Sequence, residues 1–302
     1  MAISSLHTLY AVDINTTLVD QVTDQSIDVN TAHFLQGGDG SVYKTFAAVN
    51  TITPTIGFTT TAIKTLLDKI TVGGLKVTSG AVLTAFLQQV DEGATRKGAS
   101  AHTKIIVNEG LVYPVTVSAS QGAPAQASAM VACTYDGSNL PLAITEGQSL
   151  TGTPTVDNMW TLGPATVFGN AVTGVQSVSI DFGITLFLQA GDGQIYNTFV
   201  AVNEQTPTIS IETTDVGLLA DLTLVGDASS TAVCYLTHVT QGGTRVINAT
   251  ETHISFTVNE GRAFAEAITG SDGSILGTRI GIIPTHDGTN APIVVDTTAA
   301  IA

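Results

Sequence analysis

The sequence predicts a mainly β fold built as two tandem β-sandwich or barrel units, each with one short flanking α-helix. Three observations predict it. Most of the chain is an internal repeat, short runs rich in Val, Ile, Thr and Phe alternate with Gly and Asp turns, and each repeat holds one apolar run of helical period.

The repeat is plainest from Phe34 to Ile56, FLQGGDGSVYKTFAAVNTITPTI, which returns as FLQAGDGQIYNTFVAVNEQTPTI from Phe187 to Ile209, with roughly two positions in three identical. Downstream, DEGATR ending at Arg96 matches TQGGTR ending at Arg245. VNEG ending at Gly110 matches VNEG ending at Gly261, and YDGSNLP ending at Pro141 matches HDGTNAP ending at Pro292. Upstream, Ser26-Ile27-Asp28 pairs with Ser179-Ile180-Asp181. This order divides the chain into a first unit with an N-terminal lead-in, residues 1–150, and a duplicate with its linker, residues 151–302. The linker from Glu146 to Asn158, EGQSLTGTPTVDN, is rich in turn formers. Each unit is long enough to bury its own core, so short solenoid repeats are the wrong picture.

Strands are expected at Thr103–Asn108, Val115–Ser120, Ser177–Gln189 and His253–Asn259, with pairing within each unit. Gly38-Asp39-Gly40 and Gly191-Asp192-Gly193 lie between apolar runs, where a tight hairpin needs glycine at positive φ, and they are assigned as structural turns. One helix per unit is expected, at about Thr61–Ile70 and Thr214–Leu222. Ile63, Leu66, Leu67 and Ile70 recur there at helical spacing, after threonines able to cap the first turn, and Asp215 favours the second start.

Composition narrows the function. The chain has 25 acidic and 10 basic residues, 12% charged residues in all and 43% hydrophobic ones, which is globular composition. Up to Leu150 there are 7 Lys and Arg against 11 Asp and Glu; beyond it, 3 against 14. A basic groove for nucleic acid is therefore not expected. A weakly charged surface of Thr, Ser, Asn, Gln and Gly suits burial against neighbouring subunits. Cys133 and Cys234 fall at non-equivalent points, so no repeated disulfide or metal framework is expected. The start, MAISSLHTLYAVDIN, lacks a basic region followed by an apolar core, and no run is long enough for a membrane helix, so the reading is a soluble chain with no membrane anchor.

Candidates for chemistry are few. His102 and His253 coincide in the repeat, each shortly before VNEG, and Glu109 or Glu260 follows seven residues on; in one unbroken strand that odd separation sets the side chains on opposite faces. A structural or surface role is the reading. Asp39 and Asp192 lack the alternating acidic pattern of a calcium loop. Arg96 and Arg245 follow Gly-containing loops and are the candidates for inter-subunit contacts, pairing with acidic groups on a neighbour. Tyr43 with Phe46, and Tyr196 with Phe199, read as packing. Asp91-Glu92 is replaced by Thr240-Gln241 in the second copy, which is weak support for a hydrolase. There is no GxSxG, P-loop or HExxH, so no catalytic, cofactor or metal residue is assigned and no enzyme is expected.

Taken together, the duplicated β units with a flanking helix, long loops and acidic balance resemble a tail tube (major tail) protein of long-tailed bacteriophages, in its two-unit form. The resemblance covers both repeats at the level of architecture and transfers no single residue's role. It implies a homo-oligomer: rings, each of three duplicated chains, stacked into a hollow tube that conducts DNA without binding it specifically. It also implies contacts with other virion proteins, residence in the virion after assembly in the host cytoplasm, and strands or loops that continue pairing into the next subunit. A lumen of like charge to DNA gives the polymer few places to stick. A capsid or decoration protein shares these features. A surface adhesin or carbohydrate-binding module is the reading from a different class, with the missing export signal and the single Trp160 against it.

Overall fold

The computed structural model of the chain describes residues 5–38, 40, 42–77, 83–94, 101–152, 155–191, 193–218, 222, 226–228, 231–245, 252–270 and 277–301. The first unit begins with β1 (Ser5–Ile14), β2 (Thr17–Val19), β3 (Val22–Asp28), β4 (Thr31–Gln36), β5 (Phe46–Ile52) and β6 (Thr55–Thr60), then α1 (Ile63–Lys69). After the helix come β7 (Leu75–Val77), β8 (Leu83–Asp91), β9 (His102–Val107), β10 (Glu109–Ser120), β11 (Gln126–Thr134) and β12 (Leu142–Gln148). The second unit begins with β13 (Asn158–Val167), β14 (Asn170–Val172), β15 (Val175–Asp181), β16 (Ile184–Gln189), β17 (Phe199–Gln205) and β18 (Thr208–Thr213). It ends with β19 (Asp227–Ala228), β20 (Ala232–Thr240), β21 (His253–Val258), β22 (Gly261–Thr269), β23 (Gly277–Pro284) and β24 (Val294–Ala299). The chain is mainly β, its sheets are antiparallel and open, and α1 is the single helix assigned among the described residues.

Strands β13 to β24 repeat β1 to β12 in order and in pairing. The five-stranded sheet β12-β9-β8-β1-β2 recurs as β24-β21-β20-β13-β14, and the hairpin β4-β5 recurs as β16-β17. Even irregularities recur. β10 bulges between Pro114 and Thr116 against β11, and β22 bulges between Ala265 and Ala267 against β23.

Period-two patterning sets the faces. In β6, Ile56, Phe58 and Thr60 are buried, as are their counterparts Ile209, Ile211 and Thr213 in β18. These meet Val12, Ile14, Leu83 and Ala85 of the first five-stranded sheet, or Ala165, Val167, Ala232 and Cys234 of the second, in one continuous hydrophobic core. The VNEG motif has a steric reason. A Cβ at Gly110 would lie 2.4 Å from the Ala132 carbonyl oxygen, and one at Gly261 would lie 2.8 Å from that of Ile283. Only glycine lets these strands approach so closely.

Two expectations change in detail. The run Ser177–Gln189 is two strands, β15 and β16, because the backbone turns at Gly183 with φ 56°. The Gly-Asp-Gly segments lie in connections spanning 37–45 and 190–198, with Gly40 and Gly193 at φ 73° and 72°, so the hairpins are wider than a two-residue turn. Asp39 and Asp192 lie outside the described residues.

Helix α1 buries Ile63, Leu66 and Leu67 and starts without a side-chain cap at Ala62, whose N–H instead donates to Thr60 Oγ1 at 3.0 Å. In the second unit the Leu222 N–H donates to the Leu218 carbonyl at 3.2 Å, and Asp215 Oδ1 accepts from the Gly217 N–H at 3.0 Å. The remainder of that expected helix lies outside the described residues. No helix among them is long and apolar enough to cross a membrane.

Pairing is not confined to each unit. A single sheet runs β19-β22-β23-β18-β15-β10-β11-β6-β3, with β7 also on β10, so strands of both units share it. β10 makes this possible by its length. Its first part, Gly110–Val112, pairs with β7, and its last part, Thr116–Ser120, pairs with β15.

Candidate functional site

Among the described residues, the side chains singled out for chemistry pack or hydrogen-bond within the fold. His102 and His253 are buried, and each Nδ1 accepts a backbone N–H from the adjacent strand, that of Gln89 or of His238, at 3.1 Å in both units. The shared histidine thus satisfies one backbone N–H in each five-stranded sheet, and Glu109 turns elsewhere, to Lys76 at 3.3 Å. His238 Nε2 lies 2.8 Å from Asn158 Oδ1, and desolvation, followed by the nearby His253, holds its pKa below the usual value. Burial pushes the thiols of Cys133 and Cys234 up to about 12, so neither is a poised nucleophile. The Asp-Gly turns near the end of each unit are paired Asx turns. Asp136 and Asp287 each accept from backbone N–H groups and from the amide of Asn139 or Asn290. Among the described residues no three His, Cys, Asp or Glu side chains gather as a metal site.

What the fold does build is a junction between the units. At its centre β10 meets β15 antiparallel, with Thr116 opposite Asp181, Val117 opposite Ile180 and Ser118 opposite Ser179. The Phe182 N–H then donates to the Val115 carbonyl at 3.0 Å, and its fully buried ring closes the apolar face. On one flank the β16-β17 arm reaches the first unit: the Ile195 carbonyl accepts from the Ile52 N–H and that of Asn197 from the Tyr135 N–H, both at 2.8 Å. The rings of Tyr135 and Tyr196 lie 5.8 Å apart beside them. On another flank α1 rests on β24, where Thr297 Oγ1 donates to Asp68 Oδ1 at 2.5 Å and Lys64 Nζ reaches Thr297 at 3.2 Å. A crevice of about 510 Å³ between them is lined by Leu67, Ile70, Phe182 and Ile293, so it belongs to the junction.

Arg245 sits at this junction, donating to Gln121 Oε1 at 3.0 Å and to the Leu162 carbonyl, so it bridges the two units of one chain. Arg96, its counterpart, lies outside the described residues. Trp160 occupies β13 at the same junction: its carbonyl accepts from the Ala125 N–H at 2.8 Å. The faint sequence signal of its place in the repeat is Thr161-Leu162 matching Thr8-Leu9 of β1.

The junction is heterologous, so each unit has two different sides and the chain retains one of each unpaired. Beyond Ala263, the outer edge of β22 has no partner strand among the described residues, and neither has the outer edge of β3. The solvent face of this sheet bears hydroxyls and carboxylates, all exposed: Asp24, Ser26 and Asp28 on the edge strand β3, and Ser118, Ser179 and Asp181 at the central pairing of β10 with β15. Farther along the sheet Glu212 is held below the usual carboxylate range by Arg279, 2.5 Å away, and then by Ser177. The sequence matches no protein-family model and no curated protein.

Proposed function

We propose that this chain is a structural, self-assembling subunit that forms stacked rings of a hollow virion tail tube conducting DNA, as its resemblance to phage tail tube proteins implies. The observation that supports this most is the heterologous junction with both of its sides left over at the ends of the chain. An interface of two different surfaces repeats by rotation, and it closes into a ring when the rotation divides a full turn. Sheet edges left open in a monomer are a liability that assembly removes. The exposed Ser and Asp side chains of β3, β10 and β15, together with a net charge of −15, agree with a lumen that DNA traverses without adhering.

Negative-stain electron microscopy of the purified chain over a range of concentration and salt tests the reading. Rings or hollow tubes of uniform width are expected. Closed shells would move the assignment to a capsid or decoration protein, and dispersed monomers under all conditions to a binding module.

A further inference from the structure

We propose that the junction inside the chain is repeated between chains, so that the open side of one chain's second unit binds β3, the β4-β5 arm and β12 of a second copy's first unit. This rests on the assembly reading above and specifies its contact and register. The observation behind it is a systematic difference in burial between equivalent residues. At the internal junction Val117 is 1% exposed and Phe182 0%, whereas their counterparts at the open ends, Ile268 and Val29, are 58% and 51% exposed. The same holds at the last strand of each unit: Val295 is half-buried and packed against the core, while its counterpart Ile144 in β12 is 65% exposed. Each exposed residue sits where its counterpart is covered by the other unit. A second copy placed by the same operation covers them all.

The template fixes the register. Thr116 opposite Asp181 becomes Ala267 opposite Asp28, Val117 opposite Ile180 becomes Ile268 opposite Ile27, and Ser118 opposite Ser179 becomes Thr269 opposite Ser26 of the second copy. The Val29 N–H then meets the Glu266 carbonyl at the bulge, as Phe182 meets Val115. The arm follows the same rule. Val42 and Lys44 present carbonyls to the N–H groups of Gln205 and His286, as Ile195 and Asn197 do for Ile52 and Tyr135. Because β22, beside the short terminal β19, and β3 lie toward opposite ends of the ten-stranded sheet, one chain cannot satisfy both edges itself. The contact is therefore head to tail, between copies.

Cysteines introduced into the full chain test this by oxidation and non-reducing electrophoresis. Ser26→Cys with Thr269→Cys changes two exposed side chains, and the buried native thiols of Cys133 and Cys234 contribute no background. Facing pairs in an antiparallel ladder alternate between wide and narrow spacing, so Ile27→Cys with Ile268→Cys is run in parallel. At least one double variant should run mostly as covalent multi-chain species, and no single variant should. Rings in the microscope without a cross-link at either pair would overturn this register and leave the assembly reading standing. A covalent dimer of the Ser26→Cys single variant would overturn the head-to-tail polarity. Monomers in both assays would remove the assembly reading as well.

Discussion

At the scale of single residues, the side chains kept in both copies are kept for geometry. His102 and His253 accept a strand N–H, Gly110 and Gly261 leave room for a facing carbonyl, and Asp136 and Asp287 organise a turn. The turn can be read by pH. Hydrogen bonds from the Asn290 backbone and side chain, then from Thr289, lower the Asp287 carboxyl to about 2, below its ordinary value of 3.8. A carboxylate with a depressed folded pKa stabilises above its unfolded value, and that contribution is lost as pH falls through the folded one. The Asp287 turn is therefore expected to hold at pH 4 and to loosen toward pH 2. A carboxyl titration by NMR should give a midpoint about 2 that rises toward 3.8 in Asn290→Ala; an unchanged midpoint in the variant would contradict the assignment.

At the scale of elements, the hairpins, the first helix and most strands were legible because their signals are local: period-two alternation in β6 and β18, and helical spacing of Ile63, Leu66 and Leu67. The pairing of β10 with β15 was not legible, since nothing in VTVSAS tells which of its edges meets which strand. Likewise Val117 and Ile268 are both apolar in sequence, and only the fold shows one covered and the other bare. The turn joining β1 to β2 was also hidden. Asn15 and Thr16 both have positive φ, 49° and 65°, in a two-residue loop that Phe168 and Gly169 repeat at 56° and 74°. A β-branched residue is strained there, so Thr16→Gly should gain about 1 kcal/mol, seen as a higher urea midpoint at unchanged m-value. A lower midpoint would show that the threonine is not strained. At the junction, Phe182→Ala should cost about 3–5 kcal/mol by leaving a cavity, while Val29→Ala should cost the isolated chain far less because Val29 is exposed. Equal losses in thermal or chemical unfolding would contradict the asymmetry between the two ends.

At the scale of the whole molecule, the duplication does more than double a fold. It places one complete copy of an interface inside the chain and leaves the two halves of another at its ends. Sequence repetition made the two units legible, but the direction in which one unit follows the other is a property of long-range pairing, and no short motif encodes it. In the proposed assembly the exposed edge of β22 is a contact between chains and not a solvated end. Sedimentation of the wild-type chain beside Ile268→Asp is the test, because Ile268 is 58% exposed and its replacement disturbs no buried packing within one chain. Wild-type species of about three times the 31.0 kDa chain mass or multiples of that are expected, and a variant that stays at 31.0 kDa yet unfolds cooperatively, below the wild type by the stabilisation that association supplies. A wild-type chain that remains at 31.0 kDa at every concentration, or a variant that assembles as the wild type does, would contradict it.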